Sequence, residues 1–185
     1  MGSIKVLPVS GDKGVLMSLK PDIDPEGGKI DVPIELSGAP ELLASDGTGK
    51  VYVNLMDKNE VAVVDVGART VVARWPVAPG GAPVGMSMDT KKRRLFIGCR
   101  KPQKLIVMSA DDGKVLADLP IGEGVDATKI DGGQALASCR DGTLAVARGD
   151  RSGKVRNRTD CENAPGCEND GLLIRRPTGS IGRAV

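Results

Sequence analysis

The sequence predicts an all-β fold of four-stranded antiparallel sheets stacked on one another, and three observations lead to it. Pro33, Pro76 and Pro120 recur at spacings of 43 and 44 residues, each near the close of a β-rich run. Within one repeat four such runs of five to eight residues follow one another, separated by links as short as "KN". No window carries the sustained 3.6-residue apolar periodicity of a helix.

The repeat is legible element by element. "GKIDVPI" ending at Ile34, "RTVVARWPV" ending at Val77 and "GKVLADLPI" ending at Ile121 are one run written three times. Ala39-Pro40 returns as Ala82-Pro83, "KVYVN" from 50 as "RLFIG" from 94, and "EVAVVD" from 60 as "KLIVMS" from 104. "GQALAS" and "GTLAVA" hold the same places in a shortened third copy. Inside the first full copy, "PELLASD", "KVYVNLMD", "EVAVVDV" and "TVVARWPV" are the four strands, and "GTG", "KN" and "GAR" supply residues suited to tight hairpin turns. Returns this short leave no room for a crossover helix, so each copy is an antiparallel meander.

A lone four-stranded sheet has two apolar faces and cannot bury both. A period of this length therefore implies face-to-face stacking around an axis, as in β-propellers. The chain divides accordingly into partial strands of a first blade (residues 1–34), full blades at 35–77 and 78–121, and a partial blade at 122–148. Residues 149–185 form an irregular tail, rich in Arg, Asn and Gly and without alternation. The expected architecture is an incomplete propeller of about three to three and a half blades.

The repeats "GAPELLASDGTGKVYVNLMDKNEVAVVDVGARTVVARWPV", "GMSMDTKKRRLFIGC" and "DDGKVLADLPIGEGVDA" resemble those of YncE-like, YVTN-type bacterial β-propeller proteins. The resemblance covers roughly residues 28–148, with the motifs in register. It implies a ring of seven blades and an exported protein, and it implies no particular activity. The tail departs from the family pattern. It reads either as a frame-shifted version of the next blade or as a separate disordered extension. Both the missing blades and the exposed sheet edges predict self-association through open blade faces.

Composition sets further bounds. Of the +2 net charge, residues 151–185 contribute +3, which leaves the rest near −1. A nearly neutral body argues against nucleic acid as a partner, since phosphate binding needs clustered cations. The N-terminal "MGSIKVLPVSGDKG" lacks the apolar core of a secretory signal, so the chain as written is expected to stay in the cytoplasm, and no apolar window is long enough to span a membrane. Cys99 and Cys139 read as small buried side chains, and Cys161 and Cys167 lie in the tail. With no histidine and no CxxC spacing, neither a metal site nor another cofactor is expected.

No catalytic constellation is expected. "APGGAP" at 78–83 joins two strands, whereas a phosphate-cradling loop needs a helix behind it. Asp46 and Asp89 close the first strands of their blades, where a carboxylate can accept turn N–H groups. "KKRR" at 91–94 reads as a solvated hairpin turn. Glu41, Asn54, Asp57 and Arg100 stand near strand ends, where a propeller presents its loops and channel mouth, and are the ligand-binding candidates. The partner would be a small molecule or a protein. The function expected is that of a non-catalytic binding or scaffold module, in a chain expected to be a fragment of a longer protein; the alternative is a channel-site enzyme of the lactonase or quinone- or metal-dependent dehydrogenase type.

Overall fold

A computed structural model of the 185-residue chain describes residues 5–9, 15–19, 34–149 and 155–157. These residues form fifteen strands in four antiparallel sheets, and no helix occurs among them. The first sheet has three strands in sequence order, β1 (Lys5–Val9), β2 (Val15–Leu19) and β3 (Ile34–Glu35). The second is the meander β4 (Pro40–Ser45), β5 (Lys50–Leu55), β6 (Glu60–Asp65) and β7 (Thr70–Pro76). The third repeats it with β8 (Pro83–Asp89), β9 (Arg94–Arg100), β10 (Gln103–Ser109) and β11 (Val115–Pro120). The fourth comprises β12 (Val125–Asp131), β13 (Gln134–Cys139), β14 (Leu144–Gly149) and β15 (Val155–Asn157).

The short strand β15 lies in the stretch expected to be an irregular tail. It pairs with β14 through Ala147 opposite Asn157 and Gly149 opposite Val155, giving the fourth sheet its fourth strand. The remainder of the tail, with Cys161 and Cys167 and the frame-shift reading attached to it, lies outside the described residues.

The sheets are arranged radially. The first strands β4, β8 and β12 lie side by side along an inner edge, with β8 between the other two. At the outer edge β3 touches β7 and β11 touches β15.

Strand period fixes where the core sits, because alternate residues of one strand enter different layers. Val51, Val53 and Leu55 of β5 pack with Ile34, Leu36, Ala62 and Val64 toward the first sheet. Between them, Tyr52 turns the other way and joins Met86, Leu95, Ile97 and Met108 of the third sheet. The third sheet behaves likewise, sending Phe96, Leu105 and Val107 to meet Val125, Ala135, Ala137 and Ala147 of the fourth. Both faces of β5 are therefore buried, and its residues from Val51 to Leu55 are inaccessible to solvent.

Turn chemistry is as expected in part. Asp46 Oδ1 accepts the N–H groups of Thr48 and Lys50 at 2.8 and 3.0 Å, and Asp89 Oδ1 accepts that of Lys92 at 3.0 Å. In the "GAR" turn, however, Arg69 and not Gly67 takes the left-handed conformation, and Arg93 does the same in a turn with no glycine. The glycines of "APGGAP" serve close approach: a Cβ on Gly80 would lie 2.7 Å from Cys99 Sγ, and one on Gly81 would lie 2.5 Å from the Lys101 carbonyl oxygen.

Candidate ligand-binding rim

At one end of the sheets each inner strand begins, each second strand ends, and each connection from the preceding sheet arrives. Here all three inner strands carry the same irregularity. Pairing jumps from Pro40 opposite Leu55 to Leu43 opposite Val53, from Pro83 opposite Cys99 to Gly85 opposite Gly98, and from Val125 opposite Cys139 to Ala127 opposite Ser138. One residue is extra each time, at Glu41-Leu42, at Val84 and at Asp126. Such bulges bend a strand, re-aim its side chains and leave backbone groups without ladder partners.

At the β8 and β12 bulges, side chains of the preceding sheet reach such groups. Asn54 Nδ2 donates to the carbonyls of Val84 and Gly85, both at 3.0 Å. One sheet further on, Arg100 Nε donates to the Val125 carbonyl at 2.9 Å, and its Nη2 donates to Asp126 Oδ1 at 2.7 Å. Arg140 Nη2 reaches the same oxygen at 3.1 Å. Asp126 thus lies between two guanidinium groups, with side-chain exposures of 26% for Arg100, 58% for Asp126 and 68% for Arg140. The trio has a net positive charge and is open to solvent.

The four sequence candidates take different places in this arrangement. Arg100 is on the rim, and Glu41 is half-buried on the β4 bulge beside Leu42, an exposed apolar residue at 39%. Asp57 lies in the turn between β5 and β6, where its Oδ1 accepts the Ala39 N–H at 2.7 Å; that bond, with Lys58 nearby, holds its carboxyl below the usual range. Asn59 and Asp141 fasten the next two connections in the same way, by accepting the N–H groups of Ala82 and Glu123 at 2.7 and 2.8 Å. Asn54 is not at a channel or loop: it is fully buried between sheets, its Nδ2 is engaged and its Oδ1 has no hydrogen-bond partner.

Asp126 and Arg140 were not among those candidates. The signal for Arg140 was present, since "CR" at 99–100 returns at 139–140. Asp126 had none, because its role depends on a bulge.

This rim can hold an anion. Guanidinium groups present planar arrays of N–H donors matched to carboxylate and phosphate oxygens. A thiolate nucleophile is not available beside it, because burial pushes the Cys99 thiol up to about 12 and raises that of Cys139. Among the described residues no three His, Cys, Asp or Glu side chains are grouped to hold a metal ion, and no helix is long and apolar enough to cross a membrane.

No family model matches the sequence, and no curated protein matches it. Solved structures do. Hydrazine synthase of Kuenenia stuttgartiensis superposes with a TM-score of 0.65 at 18% identity, over 83% of this chain and 45% of that one. The fold is that of a β-propeller. A candidate 6-phosphogluconolactonase from Bacteroides uniformis gives 0.64 at 14% identity, over 84% of this chain and 54% of the other. A second, from Bacteroides fragilis, gives 0.62 at 12%, over 85% and 53%. The propeller chain spans about half the length of the structures it matches.

Proposed function

We propose that the chain is part of a YncE-like propeller acting as a non-catalytic binding module, with a small acidic molecule taken at the bulged end of the inner strands. On this reading residues 35–77 and 78–121 are complete blades, and the third blade extends from 122 to β15. Glu41, Arg100, Asp126 and Arg140 stand at the mouth. The observation that carries the reading is the exposed cluster in which Arg100 and Arg140 share Asp126 Oδ1 at 2.7 and 3.1 Å beside a bulge. A carboxylate or phosphate entering there meets donors already held in place, which lowers the ordering cost of binding.

Calorimetry and thermal melting with gluconate and 6-phosphogluconate test this. The expected result is a saturable rise in Tm with ligand, since binding to the native state raises apparent stability, and its loss in both Arg100→Ala and Arg140→Ala. No response to any small carboxylate or phosphate overturns the reading.

The naming of two matching structures as candidate 6-phosphogluconolactonases supports a second reading, lactone hydrolysis. With no histidine in the sequence, the carboxylates at the mouth, Glu41 and Asp126, are the candidate general bases. Acid release from δ-gluconolactone above the uncatalysed rate, abolished in the doubly amidated protein Glu41→Gln/Asp126→Asn, would support turnover. A rate equal to that of buffer leaves binding alone.

A further inference from the structure

Aspartate followed by glycine recurs at the hairpin turns. Asp46-Gly47, Asp112-Gly113, Asp131-Gly132 and Asp141-Gly142 lie among the described residues, and Asp170-Gly171 lies outside them. The pair has a chemistry of its own. The glycine nitrogen can attack the aspartate Cγ and close a five-membered ring, and glycine, having no Cβ, shields that nitrogen least. Hydrogen bonds that hold the carboxylate and the amide N–H in other directions oppose the closure.

Three of the four pairs are held in this way. Asp46 Oδ1 accepts the N–H groups of Thr48 and Lys50, its side chain is 2% exposed, and the Gly47 N–H donates to Ser45 Oγ at 3.1 Å. Asp112 Oδ1 accepts the Lys114 N–H at 3.2 Å, while the Gly113 N–H donates to the Ser109 carbonyl at 3.0 Å against the Trp75 ring. Asp141 uses both oxygens, Oδ1 for the Thr143 N–H at 2.9 Å and Oδ2 for that of Glu123 at 2.8 Å. The Gly142 N–H donates to the Cys139 carbonyl at 3.1 Å.

Asp131 differs on each count. Neither its carboxylate nor the Gly132 N–H has a hydrogen-bond partner among the described residues. Asp131, Gly132 and Gly133 are all exposed, and a Cβ on either glycine would meet nothing within 4 Å. The turn is therefore both unfastened and unpacked.

We propose that Asp131 is a site of spontaneous covalent modification, converting to isoaspartate through a cyclic imide with Gly132. The Gly132 nitrogen bonds to Cγ, and the carboxyl OH and the amide proton leave as water. Water then opens the ring: cleavage beside Cγ restores aspartate, and cleavage beside the Asp131 backbone carbonyl leaves isoaspartate. The overall change is an isomerisation that needs no oxidant and no cofactor. The product carries one extra main-chain carbon at the closed end of the hairpin, where Asp131 pairs with Gln134. Loop length sets hairpin register, so the modification works against the pairing of β12 with β13. The inference goes beyond the proposed function and does not depend on it.

Peptide mapping of the full chain after incubation in mildly acidic buffer tests the inference. The imide is read as the loss of one water by mass, and isoaspartate by methyl transfer from labelled S-adenosylmethionine with an isoaspartyl methyltransferase. Isoaspartate should gather at Asp131 at least tenfold faster than at Asp46, Asp112 or Asp141. In urea, where the turn hydrogen bonds are lost, the four rates should converge. A rate at Asp131 no higher than at the other three in the native protein overturns the inference. So does a tenfold lead that persists in urea, since the local sequence and not the fold would then set the rate.

Discussion

Asn54 holds two backbone carbonyls of the neighbouring sheet with a single side-chain nitrogen. Asn54→Leu keeps the branched shape but leaves the Val84 and Gly85 carbonyls without that donor, and the loss is about 2 kcal/mol in urea unfolding, the usual cost of unsatisfied buried groups. An unchanged midpoint would show that water serves those carbonyls equally well. Asp46 gives a pH dependence of known sign. Burial raises its pKa, but the N–H groups of Thr48 and Lys50, with Arg93 nearby, outweigh that and hold the carboxyl below its ordinary 3.8. A carboxyl depressed in the native state contributes stability above its unfolded value and loses it as pH falls through the folded one. Between about pH 5 and 2 the wild type should therefore lose stability more steeply than Asp46→Asn; parallel acid limbs would exclude this role. Cys99, with a thiol raised to about 12, should resist alkylation at pH 8 until the protein unfolds, while the half-buried Cys139 reacts first; peptide mapping by mass spectrometry distinguishes them. At this scale the sequence was a partial guide. The turn roles of Asp46 and Asp89 follow from their place at strand ends, but burial of Asn54 depends on a sheet thirty residues further on.

Strands were the most legible elements, because period-two alternation and turn residues are local properties. β4 to β7 coincide with the four runs read from the first copy of the repeat. The three inner-strand bulges were not legible, since Glu41-Leu42, Val84 and Asp126 share no residue type and a bulge is visible only once pairing is known. The Arg93 turn was hidden for a related reason: a left-handed residue is ordinarily sought at Gly or Asn. Glycines inside elements report how closely sheets approach. A Cβ on Gly98 would lie 2.6 Å from Val125 Cγ2, so Gly98→Ala forces β9 and β12 apart at a loss of about 1–3 kcal/mol. Gly113→Ala is the more severe change, with a positive φ of 74° and the Trp75 ring in the way. It should lower Tm further than Gly98→Ala and alter the emission of Trp75, the single tryptophan; an unchanged spectrum would mean the turn relaxes without disturbing the ring.

Across the whole molecule the layers differ in strength. The layer between the second and third sheets buries Tyr52, Leu95, Ile97, Ile106 and Met108, with Tyr52 donating to the Ala110 carbonyl at 2.8 Å and its ring 5.8 Å from Trp75. The fourth sheet offers mainly Ala135, Ala137 and Ala147 to its layer. Apolar area sets the hydrophobic contribution at about 25 cal/mol per Å², so the fourth sheet is held less firmly. Amide exchange should be faster in β12 to β14 than in β5, β6, β9 and β10, and equal protection across all sheets would contradict this ordering. Stacking around an axis was legible from the repeat, because one sheet cannot bury two apolar faces alone. The rim was less so: the Arg100 partners Val125 and Asp126 come from the following sheet, and no local pattern announces them.

The alternation of each strand between two layers has a consequence for how such a chain can change in length. Removing one residue from β5 would exchange Tyr52 and Asn54 with Val51, Val53 and Leu55, mismatching two layers at once. Adding a whole repeat instead carries both faces of a sheet and its rim contacts together. Insertions that respect this architecture therefore come in units of about forty residues, and a lineage built this way grows by copying entire sheets, with single-residue drift confined to turns and rim.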